Sequence, residues 1–156
     1  MTNFPEDADP NNWHRYFAIE FNNRAWELAE KSSRTQEETL DMLAAAHAAA
    51  LHWKVGGTDL NRMRARTLLA QTCALSGMGE LALQLAEEVR SYFLSRDTEC
   101  WELVLVYSVH ANAAAKAGDT KKHAESYEAA QTALAGLSDD NEREIVIQTF
   151  RQVPCP

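Results

Sequence analysis

The sequence predicts an all-α protein of about seven helices. Three observations carry that expectation. Apolar residues recur every three or four positions along most of the chain, and no segment alternates with period two long enough to make a strand. The prolines stand only at Pro5, Pro10, Pro154 and Pro156, so none interrupts a helix between them. Glycines and capping residues fall between the periodic stretches, where helices must stop and start.

Taken in order, residues 1–10 are acidic and polar and predict a disordered leader, and residues 11–153 predict a single helical domain. Asn11 or Asn12 caps a first helix running to about Ser32, with Trp13, Phe17, Phe21, Ala25 and Leu28 as its buried stripe. Thr35 and Glu38 make a capping box for a second helix, whose inward side is Leu40, Leu43, His47, Ala50 and Leu51. Gly56 and Gly57 stop it. Thr58 or Asp59 caps a third helix carrying Leu60, Met63, Leu68 and Leu75. A fourth, after Gly77 and Gly79, buries Leu81, Leu85, Val89 and Tyr92. A fifth starts after Asp97 or Thr98 and is apolar nearly all round from Trp101 to Val106 apart from Glu102, so it is the expected central helix. A sixth turns Ala124, Tyr127, Ala130 and Leu134 inward. The seventh opens on Asp139, Asp140 and Glu142, where the helix dipole favours negative charge, and carries Ile145, Val146, Phe150 and Val153.

Small residues mark where helix backbones approach. Ala70, Cys73, Gly77, Ala82 and Ala86 line helices three and four, and Gly118 repeats the break at Gly77 41 residues later. At that offset Ala70 meets Ala111, Cys73 meets Ala114, Ala74 meets Ala115 and Glu87 meets Glu128. This pattern resembles the tetratricopeptide-repeat family. Ala70, Gly77, Ala82, Ala86 and Val89 match one of its hairpins, and Ala111, Ala114, Gly118, Tyr127 and Ala130 the next. The period of 41 is longer than that family's roughly 34-residue unit. The resemblance implies antiparallel hairpins stacked as a short right-handed superhelix. It also implies a concave groove that binds a peptide or protein segment.

Composition excludes several function classes. The chain has 156 residues, 23 of them acidic against 15 basic, for a net charge of −8. Lys and Arg form no stripe that could neutralise phosphates, so nucleic acid is not an expected partner. No apolar run approaches the length of a membrane span, and the N-terminus lacks the pattern of a signal peptide. Cys73, Cys100 and Cys155 share no metal-binding spacing, and an odd count suits a reducing compartment. A cytoplasmic location follows as the expectation.

The search for chemistry finds no catalytic signature. No His stands three residues after a Glu as in di-iron bundles, HExxH is absent, and neither a nucleophile elbow nor a phosphate-binding glycine loop occurs. No cofactor is expected. Trp53 and Trp101 are expected to be core anchors, and His47 a buried, hydrogen-bonded imidazole.

If hairpins stack as the resemblance implies, Asn22 and Trp26 of helix one face the groove. Arg64, Thr67 and Gln71 of helix three join them, with Ser108 and Asn112 of helix five. Asn and Gln are costly choices on alanine-rich helices, and amides beside an Arg suit a peptide backbone or carboxylate. On this reading Arg64 and Asn112 are surface residues, replaceable without loss of stability.

The leading expectation is therefore a non-enzymatic helical-repeat protein. The alternative is a small-molecule or metal-dependent enzyme with a site where His110 and His123 approach each other across the break at Gly118. A homodimer through helix one or helix seven is the third candidate.

Overall fold

The computed structural model describes Pro5 and residues 8–156, so most of the acidic leader lies outside the described residues. Among the described residues there are seven α-helices and no strand: α1 (Pro10–Ala29), α2 (Gln36–Gly56), α3 (Asp59–Leu75), α4 (Gly79–Leu94), α5 (Cys100–Ala117), α6 (Thr120–Ala135) and α7 (Asp140–Arg151). The all-α expectation holds.

The helix ends follow local chemistry. Thr35 caps α2 through a complete capping box with Glu38, and Thr58 does the same for α3 with Asn61. The start of α1 differs from expectation: Asp9 is the cap and Pro10 the first helical residue, because proline's missing N–H costs nothing there. At α5, Glu99 stands at the cap position, while the Thr98 hydroxyl turns back to donate to Phe93 O at the end of α4.

Gly77 and Gly118 both have φ of +80°, the left-handed conformation that terminates helices. At the first, Met78 N donates to Cys73 O (2.9 Å) and Gly77 N to Ala74 O (3.1 Å). At the second, Asp119 N donates to Ala114 O (2.9 Å) and Gly118 N to Ala115 O (3.2 Å). The same pair of bonds closes both breaks.

Each helix packs on the next in sequence. In addition α1 touches α3, α3 touches α5, and α5 touches α7, whereas among the described residues the backbones of α2 and α4, and of α4 and α6, stay apart. Two layers result, with the odd helices forming one and the even helices the other. Their common core is the alanine seam of Ala70, Cys73 and Ala74 (α3), Ala82 and Ala86 (α4), and Val109 and Ala113 (α5), all essentially without solvent contact. The helix α5 is the hub: Val104, Val106 and every residue from Ser108 to Ala114 are buried.

Several inward faces are rotated from expectation. Leu40 and Leu51 are 61% and 66% exposed and His47 is exposed, because α2 buries Met42, Ala45, Ala46, Ala49 and Trp53 instead. In α1 the innermost residues are Ala18, Ala25, Leu28 and Ala29, which leaves Phe17 at the surface. Leu60, Leu81, Ala124 and Ile145 are likewise exposed, while Thr67, Ala82, His123 and Val146 take the inner positions. In α1 and α2 alanines occupy much of the inner stripe, so the backbones can approach and several large side chains are displaced to the flanks.

Gly79 shows how tight that approach is. A Cβ there would overlap the backbone of Lys116 and Ala117, whereas one at Gly77 would meet open space. Gly79→Ala is therefore expected to cost roughly 3 kcal/mol or more. Gly77→Ala, strained only by its φ, should cost about 1 kcal/mol. Urea unfolding of both variants checks this, and equal or reversed costs would show that α4 and α5 are not in backbone contact.

Candidate functional site

The odd-helix layer holds a cavity of about 250 Å³. Asn22 and Trp26 line it from α1, Arg64 and Thr67 from α3, and Trp101, Glu102, Leu105 and Val106 from α5. Ile145 and Thr149 of α7 and Glu30 complete the wall. Four of the seven predicted groove residues, Asn22, Trp26, Arg64 and Thr67, thus meet at one place.

An ion pair organises its floor. Arg64 Nε donates to Glu102 Oε1 at 2.7 Å and Nη2 to Oε2 at 2.9 Å, a two-point contact that fixes both planes. The Arg64 guanidinium also lies 5.4 Å from the Trp101 ring centre, in cation–π range. Glu102 is buried in the first turn of α5, where the positive end of the helix dipole supports its charge. Hydrogen bonding to Glu102 holds the Arg64 pKa above the usual arginine value. The Arg64 side chain remains 43% exposed, so the pair is buried on one side and wet on the other.

Gln71, Ser108 and Asn112 are corrections. They occupy the predicted row but are fully buried, and Gln71 is bonded to Gln152 at the end of α7. Asn112 Nδ2 donates to Gln71 Oε1 (3.1 Å), Gln71 Nε2 donates to Gln152 Oε1 (2.9 Å), and Gln152 Nε2 donates to Ala29 O (2.5 Å). This chain of amides runs from α5 through α3 and the end of α7 to the end of α1. Costly amides on these helices had a reason, but it is internal bonding rather than ligand contact. Asn112 is accordingly no surface residue, and Asn112→Ala is expected to cost stability.

The two histidines of the alternative reading have separate partners. His110 Nδ1 lies 2.7 Å from Ser126 Oγ and Nε2 lies 3.1 Å from Glu87 Oε1, which also faces Lys122 Nζ at 2.8 Å. His123 Nε2 donates to Pro154 O at 2.8 Å. Hydroxyl, imidazole and carboxylate stand in the order that nucleophilic catalysis uses. Yet Ser126 and His110 are 3% and 2% exposed, so no substrate carbonyl reaches Oγ while α5 and α6 remain packed. Burial lowers the His110 pKa despite Glu87, which favours a neutral ring accepting from Ser126. Lys122, and to a smaller extent His110, hold Glu87 below the usual carboxylate range.

Among the described residues no three His, Cys, Asp or Glu side chains converge as metal ligands, and no helix is long and apolar enough to cross a membrane. Trp53 is buried as expected, but Trp101 is half-buried and forms cavity wall. Sequence reasoning missed Glu102 as a site residue. Its signal was its isolation as the one charge in the run from Trp101 to Val106. Ile145 and Thr149 had no comparable signal, since only tertiary packing brings α7 here.

The chain matches no protein-family model, and no curated protein or solved structure matches it.

Removing Arg64 would leave the Glu102 carboxylate buried and unpaired. Arg64→Ala is expected to lower stability by about 1–2 kcal/mol, less than for a wholly desolvated pair because Arg64 keeps contact with water. Adding Glu102→Gln to that variant should restore part of the loss. Urea unfolding of the full double-mutant cycle measures the coupling, and strictly additive effects would contradict a functioning pair.

Proposed function

We propose that this is a non-enzymatic helical-repeat protein that binds a peptide or protein segment by seating one apolar side chain of its partner between Trp26 and Trp101. The observation that carries the reading is the cavity itself. Its volume, about 250 Å³, falls below the roughly 300–1,000 Å³ of pockets that enclose whole small molecules, and suits a single large side chain.

The wall chemistry supports the same reading. Trp26, Trp101, Leu105, Val106 and Ile145 supply apolar surface, and aromatic anchors dominate peptide-binding energetics. Around them Asn22, Thr67 and the remaining donors of Arg64 can satisfy a backbone carbonyl or a carboxylate. The repeat in the sequence, the equivalent closures at Gly77 and Gly118, and the two-layer arrangement favour kinship in design with tetratricopeptide-like proteins. In this chain Ile145 and Thr149 of α7 close one side of the groove, so a partner would meet a cup rather than an open channel. A cytoplasmic setting accords with three unpaired cysteines.

Panning a library of short segments against the purified chain tests the reading, with tryptophan fluorescence as the readout. Selected segments should share one Phe, Trp, Leu or Met and shift the emission on binding. Ile145, 63% exposed at the mouth, tolerates change, so Ile145→Glu should weaken binding about tenfold while leaving the fold intact. A library without a consensus anchor, or segments that bind Ile145→Glu equally well, would overturn the proposal.

A further inference from the structure

Away from the cavity, α1 and α2 bring two imidazoles into direct opposition. His14 Nδ1 and His52 Nδ1 lie 2.9 Å apart, 38 residues distant in sequence. Close packing of the two helices produces the meeting. Gly56, one turn beyond His52, sits so near α1 that a Cβ there would press on Asn11 O and His14 Cβ, each 3.2 Å away. The His52 ring is walled by Phe21 (ring centres 5.9 Å apart, 22° between planes) and by Phe17 (5.6 Å, 39°), which limits its rotamers.

We propose that His14 and His52 form a binding site for a divalent late transition cation, of the nickel(II) or copper(II) class, held through both Nδ1 atoms. Nitrogen–metal bonds are about 2.0–2.1 Å for imidazole. Two such ligands at adjacent corners of a tetragonal or octahedral ion therefore stand about 2.8–3.0 Å apart, while adjacent ligands of a tetrahedral ion stand about 3.3 Å apart. The observed separation matches the first geometry, and binding needs each ring to turn in place, because ring centres 5.0 Å apart now aim the two Nδ1 atoms almost directly at each other. Tetragonal and octahedral preferences, together with the usual affinity order of divalent ions, select nickel and copper over zinc. Water completes the coordination sphere.

Without metal, one Nδ1–H donates to the other ring's Nδ1 lone pair. On binding, the donor ring moves its proton to Nε2, both Nδ1 lone pairs turn to the ion, and no net proton is released. Only neutral imidazole ligates. Burial, and then the neighbouring His14, keep the His52 pKa below the usual histidine value, so the ring is already in its ligating form at neutral pH. The ion would tie α1 to α2 at the outer end of the stack and stabilise the folded chain.

Calorimetric titration of the full chain with nickel(II) alone tests this. One ion should bind per chain and raise the melting temperature, and imidazole NMR signals of two histidines should show paramagnetic shifts. His14→Gln and His52→Gln should each weaken binding about tenfold or more and abolish the stabilisation. His47→Gln, on the exposed face of α2, should change neither. Absence of binding to the wild-type chain would overturn the proposal, and so would shifts confined to other histidines. Unchanged affinity in folded His14→Gln or His52→Gln would overturn it equally. Should either variant fail to fold, the wild-type NMR shifts decide alone.

Discussion

Contact between the backbones of α3, α4 and α5 is the constraint on which the rest of the structure depends. Helix axes can come to the short end of their usual 8–10 Å spacing only where side chains are small. Here Ala70, Ala74, Ala82, Ala86 and Ala113, with Cys73 and Val109, supply such a surface on all three helices. Burial also makes Cys73 harder to ionise, which keeps its thiol an inert packing group. The seam offers little apolar area per residue. What it supplies is many close contacts at interior density, which individually are weak and collectively decide stability.

From that seam the placement of everything else follows. With α5 held against α3 and α4, its N-terminal turn carries Trp101 and Glu102 to Arg64, and its opposite flank receives α6 and α7. Polar groups then fix orientation where apolar packing alone would permit sliding. Arg64 and Glu102 set the register of α3 on α5, and the chain from Asn112 through Gln71 and Gln152 to Ala29 O pins the end of α7 to three other helices. Buried networks of this kind are costly when broken and specific when complete. The cavity is the space left among four helices whose mutual positions those bonds determine.

Much of this was legible in the sequence. Helix number, the Thr35–Glu38 capping box, the glycine closures and the centrality of α5 all rest on local rules, and local rules survive folding. The direction in which each helix faces was less legible. Large apolar residues normally point inward, yet here Leu40 and Leu51 are exposed because alanines hold much of the inner stripe of α2, and Ile145 is exposed because α7 turns Val146 and Thr149 inward. The candidate site divided along the same line. Asn22, Trp26, Arg64 and Thr67 are placed by helical register once hairpin stacking is taken from the family resemblance. Gln71, Ser108 and Asn112 lie in the same register but are fully buried, and the partners that hold Gln71, namely Asn112 on α5 and Gln152 at the end of α7, come from 41 and 81 residues away in sequence. The pairing of His14 with His52 depends equally on tertiary contact, since no spacing rule joins residues 38 apart.

The account stands or falls on the seam, and one comparison addresses it directly: equilibrium urea unfolding of Ala113→Leu against Ala124→Leu. Ala113 is fully buried in the seam and Ala124 is exposed on α6. The account predicts that leucine at 113 costs roughly 3 kcal/mol or prevents folding, because the backbones cannot separate to admit it. Leucine at 124 should change stability by less than about 0.5 kcal/mol. Equal tolerance of leucine at both positions would mean that α3, α4 and α5 are not in close contact, and the cavity built on them would lose its foundation.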